Sequence, residues 1–486
     1  MSAKIKLHRL ALLLFCAHLT VMLPSPPVAA QAKQGANLDL ESYLREVQSQ
    51  SPAYKAAEIG AQAARATAEE AELGVKPHFF ASAALNSEAK PSPFFNYERI
   101  DTTAIGAGIS QQFRFGLQTK LSYQYTESNY VGIRPKFFEA RPAIEATLPL
   151  LRNWGGRETS NQIDAAVTAG QAKAKGQEAQ REGALLEAEI LYWRLALARE
   201  AKKVAQDALA RAQAMHEWTT RRVRLNLSDR TEQLQSDAQL KARQLEMLQA
   251  DDDERSARLN FNLARGRNDD LVHETLSEIN AARIQKWKSL TRTHSRSEIE
   301  ALSLQAQAAE LQALAARERT RPQFELFGQY AWNSPLRATS SDALADSWRT
   351  DKPTQTVGLR LQFPLDLAQA SQTQKGWALE AQAAREQLRR RTQEEERDWS
   401  ELSARYQTAK QRALLFEDLE RAQKTKLEHE RGRHRVGRAV LAQVIQFETE
   451  YQQTQLGRLR SLAEALSLYA QMKLYGPKAE SIPEQE

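Results

Sequence analysis

The sequence predicts a mainly α-helical chain with a minority of β-structure, built as two internal structural repeats. Three observations carry that prediction. Ala-, Glu- and Gln-rich stretches have a helical period, and the period falls to two within residues 77–150 and 322–364. Proline and turn landmarks recur in the same order in both halves. The long helices are expected to pack as antiparallel coiled coils, and the strands suit a transmembrane β-barrel.

Residues 1–30 have the layout of a secretory signal peptide. Lys4, Lys6 and Arg9 precede the apolar run Leu10 to Phe15, and Val28-Ala29-Ala30 offers a small-residue cleavage site after Ala30. Phe15 before Cys16 does not suit a lipobox. Removing this segment takes three basic and no acidic residues, so 67 Lys+Arg become 64 against 61 Asp+Glu, and the net charge falls from +6 to +3. It also takes the only cysteine, which excludes an intrachain disulfide or cysteine-held metal in the processed chain.

A mean hydropathy of −0.60 and 26% charged residues exclude a polytopic helical membrane protein. No apolar run of about 18 residues follows the signal. The small net charge argues against a nucleic-acid binder.

The first repeat is expected over 31–265. Residues 38–75 read as helix, with Ser51-Pro52 an N-cap and first-turn pair, Gly74 a terminal cap and Pro77 a stop. Strands fill 77–150, where Leu117, Leu121, Tyr123 and Tyr125 share one face and Gln118, Lys120, Ser122 and Gln124 the other. A long helix over 156–225 meets a turn at Asn226-Leu227-Ser228-Asp229, and a helix follows over 229–265. After the segment 266–296, a second repeat is expected over 297–474: helix 297–319, strands 322–364, long helix 367–435 and helix 439–474, then a polar tail 475–486. Asn226 follows Pro149 by 77 residues, and Gly437 follows Pro364 by 73.

At 1.5 Å per residue each long helix spans roughly 100 Å. Such a helix needs a packed face, and Ala165, Ala166, Ala169, Ala172 and Ala174 would let a neighbour approach closely. The charge runs Asp251 to Glu254 and Arg389 to Arg391 read as solvated helix faces. Aromatics gather near strand ends at Phe94, Phe95, Tyr97, Tyr130, Phe137, Phe138, Tyr330 and Trp332, as an interfacial girdle requires. Six candidate strands are too few for the smallest eight-stranded barrel, so a barrel must be shared between subunits.

The chain resembles the TolC family of outer-membrane channels, also called outer-membrane efflux proteins. The resemblance lies in Lys76-Pro77-His78-Phe79-Phe80 and Arg321-Pro322-Gln323-Phe324 where helix gives way to strand. It continues in Thr147 to Arg157 and Leu361-Gln362-Phe363-Pro364-Leu365 where strand gives way to helix, and in the turns Asn226 to Leu234 and Gly437 to Ile445. Order, spacing and duplication carry it rather than any single motif. It implies a homotrimer whose strands form one outer-membrane barrel and whose helices form a periplasmic α-barrel. It also implies partnership with a periplasmic adaptor (membrane fusion) protein and an inner-membrane transporter. Passive export of small molecules or proteins, in an efflux pump or type I secretion system, would follow. The segment 266–296 and the tail would form an equatorial belt.

The resemblance further implies that Leu225, Asn226, Leu227, Val436, Gly437 and Arg438 are the tips that meet the adaptor. It places the periplasmic constriction at Glu232, Gln235, Gln443 and Gln446, where the acidic side chains of familiar members are largely replaced. Basic residues crowd both tips at Arg221, Arg222, Arg224, Arg431 and Arg435, either complementing the helix dipoles or meeting the adaptor. An extra hairpin near Phe115-Gly116 would make the barrel wider than the family's usual twelve strands, or lie outside the membrane.

No catalytic, metal or cofactor site is expected. His429 and His434 are one residue too far apart for HExxH, and Gly106-Ala107-Gly108 sits in a strand pattern. The alternative is a periplasmic coiled-coil scaffold or adaptor carrying a soluble β-domain.

Overall fold

The computed structural model describes residues 37–89, 99–131, 136–278, 290–333, 335–349 and 351–476. The signal segment with Ala30, and Phe94, Phe95 and Tyr97, lie outside the described residues.

The chain opens with β1 (Asn37–Leu38), α1 (Leu40–Gln50) and α2 (Pro52–Leu73). The single helix expected over 38–75 is therefore two. Ser51 takes an extended conformation, as a residue before proline prefers, and Pro52 has no N–H to continue the ladder of α1. Strands β2 (His78–Glu88), β3 (Arg99–Gln112), β4 (Gln118–Val131) and β5 (Phe137–Pro149) follow. Next come α3 (Arg157–Arg224) and α4 (Arg230–Ala264), then β6 (Thr275–Leu276) and α5 (Ser297–Arg319). β7 (Gln323–Ala331), the short α6 (Ser340–Ala345), β8 (Thr354–Gln362), α7 (Leu367–Arg435) and α8 (Leu441–Lys473) complete the order.

Two features were not legible in the sequence. β1 pairs in parallel with β6, a two-residue ladder too short to show a period. The β7–β8 connection folds into α6, begun by Thr339, whose Oγ1 accepts from Asp342 N.

The helices pack along one another, with α3 against α2, α4, α5 and α8, and α7 against α5 and α8. α3 has 68 residues and α7 has 69, so each is roughly 100 Å long. The main core lies part-way along them, where α1 and the distal ends of α4 and α8 join. Tyr43 stacks on Phe261 at 4.2 Å between ring centres and donates to Phe261 O. Tyr192 meets Trp193 edge-on, donates to Leu38 O and accepts from Ser277 N, which ties the segment after β6 to the bundle. Beneath them Arg265, only 1% exposed, is held by Glu46, Glu274 and Asn262.

The charge runs are not simply solvated faces. Glu254 is buried against Lys202 and Arg258, while Arg391 reaches across to Glu298 of α5. A charge on the seam between two helices can pair laterally, which pattern along one helix does not reveal.

Candidate functional site

The six longer strands form one antiparallel sheet in the order β2-β3-β4-β5-β7-β8. The β3–β4 hairpin turns at Phe113–Leu117, with Phe113 N donating to Leu117 O and Gly116 at φ +98°. It lies inside the sheet, between β2 and β5.

Register sorts the side chains. Phe79, Ile109, Leu121, Ile144, Tyr330 and Gln355 stand opposite one another across all six strands. The adjacent row reads His78, Ser110, Lys120, Glu145, Gln329 and Thr356. Successive residues point to opposite faces, so one face is apolar and the other polar. Leu85, Ile105, Leu326, Val357, Leu359 and Leu361 fall on the apolar face by the same alternation. These side chains are exposed, Leu85 at 85% and Val357 at 80%. On the polar face, Gln329 donates to Glu145, Lys120 lies 3.6 Å from Glu145, and Arg360 pairs with Glu325.

Aromatic rings gather at one end of the apolar face. Trp332 lies 4.8 Å from Tyr330 and 5.7 Å from Trp348, while the Tyr123 hydroxyl donates to Ser347. Tyr125 stacks on Phe138 there, while Tyr130 and Phe137, which fall on the polar face by the same alternation, meet edge-on. Trp348 and the Tyr123 contact were missed in the sequence, because α6 was not foreseen there.

At the far end of the helices are two turns of one design. Asn226 and Gly437 both take positive φ, 56° and 71°. Leu227 N donates to Arg222 O, and Arg438 N donates to Arg433 O, the six-to-one bond of a Schellman motif. The guanidiniums of Arg222 and Arg433 then donate to the carbonyls of Leu227 and Arg438. At the apices Leu225, Leu227 and Val436 are exposed at 62–68%.

The two turns meet through Trp218 of α3 and His434 of α7, 5.0 Å apart. His434 is buried. Burial holds its imidazole below the ordinary value and Arg222 acts in the same sense, while Glu232 and Glu430 oppose. In the sequence His434 stood out for its spacing from His429, which does not fit HExxH.

The basic residues divide. Arg431 and Arg211 share the carboxylate of Glu448. Burial, then the neighbouring Arg211, lowers the Arg431 pKa from its ordinary value. Arg222 is occupied by the turn carbonyl and by the Trp218 ring. Arg221, Arg224, Arg435 and Arg438 are exposed and have no ion pair among the described residues.

Of the positions assigned to a constriction, Gln235, Gln443 and Gln446 are exposed, and Glu232 is partly buried. Glu232 accepts from Ser228, and Gln446 donates to Glu450. A residue missed in the sequence, Arg243 of α4, is 5% exposed and reaches Thr449 of α8 at 2.7 Å. Its other contacts are Glu246 and Gln452.

Among the described residues no helix is long and apolar enough to cross a membrane, and no group of three or more His, Cys, Asp or Glu could hold a metal ion. No protein-family model matches the chain, and no curated protein is found similar to it. Solved structures are similar over most of its length. The outer membrane protein VceC of Vibrio cholerae is 15% identical, with a TM-score of 0.65 over 90% of this chain and 96% of that one. The CmeC outer membrane channel of Campylobacter jejuni is 13% identical, with a TM-score of 0.65 over 90% and 85%. The MtrE outer membrane channel of Neisseria gonorrhoeae is 14% identical, with a TM-score of 0.62 over 91% and 93%. The chain shares the fold of these proteins.

Proposed function

We propose that the chain is one subunit of a trimeric outer-membrane channel of the TolC family, a passive export duct of an efflux pump or type I secretion system. The observation that carries this reading is the sheet: one continuous exposed apolar face, and a polar reverse. Strands of 9–14 residues are long enough to cross a bilayer. The alternative, a soluble β-domain on a coiled-coil stalk, would leave that apolar face in water.

In this reading the apolar face meets outer-membrane lipid and the polar face lines the lumen. The two repeats, 31–265 and 297–474, each supply strands to the barrel and helices to a periplasmic tunnel; of the belt segments 266–296 and 475–486, residues 279–289 and 477–486 lie outside the described residues. Leu225, Asn226, Leu227, Val436, Gly437 and Arg438 are the tips that meet a periplasmic adaptor, which links the duct to an inner-membrane transporter. Glu232, Gln235, Gln443 and Gln446 line the constriction, whose mostly neutral lining sets no acidic cation filter. Arg221, Arg224, Arg435 and Arg438 form a basic rim that attracts an acidic adaptor surface.

Fractionation tests the reading. A heat-modifiable trimer extracted from the outer membrane by detergent is expected, whereas a freely soluble periplasmic protein would overturn it. Reversing Arg435 and Arg438 to Glu should impair export more as salt is lowered, and unchanged export would remove the basic rim from the reading.

A further inference from the structure

The β3–β4 hairpin is as long as the strands around it and shares both of their faces. β3 pairs with β2 over 11 residues and with β4 over 14, and β4 pairs with β5 over another 11. Its Ile105, Ile109 and Leu121 are about half exposed on the apolar face, in rows with Phe79 and Ile144. Its Ser110 and Lys120 lie in the polar row with His78 and Glu145. A hairpin standing clear of the bilayer has no need of that division.

Stagger points the same way. Phe79 lies two residues past Pro77, yet its register mate Tyr330 lies eight past Pro322. Six residues of offset over four strand steps, at ~3.4 Å along and ~4.8 Å between strands, tilt the strands by roughly 45°. That is the tilt of membrane-spanning strands, and it accumulates through the hairpin.

The sheet has two edges. β2 and β8 each lack a partner on one side among the described residues, which lipid does not tolerate. Five antiparallel steps separate them, so β8 of one copy beside β2 of the next continues the alternation. The apolar faces also join, with Phe79 and Leu85 on β2 and Val357, Leu359 and Leu361 on β8.

We propose that three copies close an eighteen-strand barrel through β8–β2 seams, with the β3–β4 hairpin as part of the membrane wall. This rests on the trimeric duct proposed above. Barrel diameter grows about linearly with strand number, so the outer mouth is about one and a half times as wide as a twelve-strand one. The fitting cargo class is correspondingly bulky, and the narrow passage lies at the helical end.

Electron cryo-microscopy of the full chain in lipid nanodiscs counts the strands directly. Eighteen strands in the lipid belt, with β8 beside β2 of a neighbour, is the expected result. A trimer with twelve strands in lipid and the hairpin outside would overturn this inference while leaving the channel reading intact. A ring of another copy number would overturn the count of eighteen and the trimer together, and a particle with no membrane ring would overturn both readings. Cysteine pairs check the seam independently, since the only native cysteine is Cys16. Ala83→Cys combined in turn with Gln355→Cys, Val357→Cys or Leu359→Cys should give covalent trimers in at least one pairing. Failure of all three in a folded protein would overturn the seam.

Discussion

The helical equator and the sheet obey opposite rules of burial. At the equator Trp193, Tyr43 and Phe261 are at most 1% exposed, and the Tyr43 hydroxyl is tied to the Phe261 carbonyl. In the sheet Leu85, Val357 and Phe79 are at least 75% exposed, while the polar row faces the other way. The first arrangement suits a chain folding in water, and the second suits a chain whose outer solvent is hydrocarbon. In the proposed reading one molecule serves two solvents, with the change at the strand–helix junctions. There Gly156, at φ +75°, passes so close to Arg114 O that a Cβ would lie 1.7 Å away.

Four measurements can break or sharpen that contrast. The largest effect belongs to the equator. Trp193→Ala should cost about 3–5 kcal/mol in denaturant unfolding, the same in detergent and in bilayers, because its cavity lies away from lipid. In the sheet, Leu121→Arg should cost about 2–4 kcal/mol when the protein is refolded into vesicles. Gln124→Arg, three residues along on the opposite face, should cost close to nothing. Equal costs at the two positions would erase the lipid face.

The turns at the helix tips depend on neither solvent. Gly437→Ala should loosen its turn by about 1 kcal/mol, read as faster amide exchange at Arg438, because an L-residue resists positive φ there. Asn226→Gly should slow exchange at Leu227 slightly. The smallest effect is a pH dependence at the joint between the turns. The folded His434 pKa is depressed, so the unfolded chain binds more protons below the ordinary value of about 6.5. The joint's stability is therefore full above that pH and falls as the pH drops toward the folded value. Glu232 and Glu430 oppose this, while Arg222 reinforces it. Amide exchange near Trp218 should quicken between pH 7 and 5, and His434→Gln should flatten the response.

Much of this architecture was legible because long elements repeat their period many times. The two longest helices span Arg157–Arg224 and Leu367–Arg435, the six sheet strands lie within 78–149 and 323–362, and the hairpin turns at Phe113–Leu117. The single helix over 38–75 fails at Ser51, where a residue already read as a cap ends one helix and begins another. Pairing between distant segments was out of reach. Glu254 with Lys202, Arg243 with Thr449, and β1 with β6 join residues whose separation no local pattern encodes. The strand faces were partly legible in β4, but only register shows that they align across six strands.

Each tip turn has its outermost carbonyl engaged by an arginine five residues upstream, Arg222 for Leu227 and Arg433 for Arg438. Such a turn arrives at a docking event already in its final shape. A protein that grips it freezes little backbone motion, and that saving in entropy counts six times if three copies each present two turns. Assembly on this surface would then be governed by how six rigid knobs are spaced around the rim rather than by how firmly any one is held.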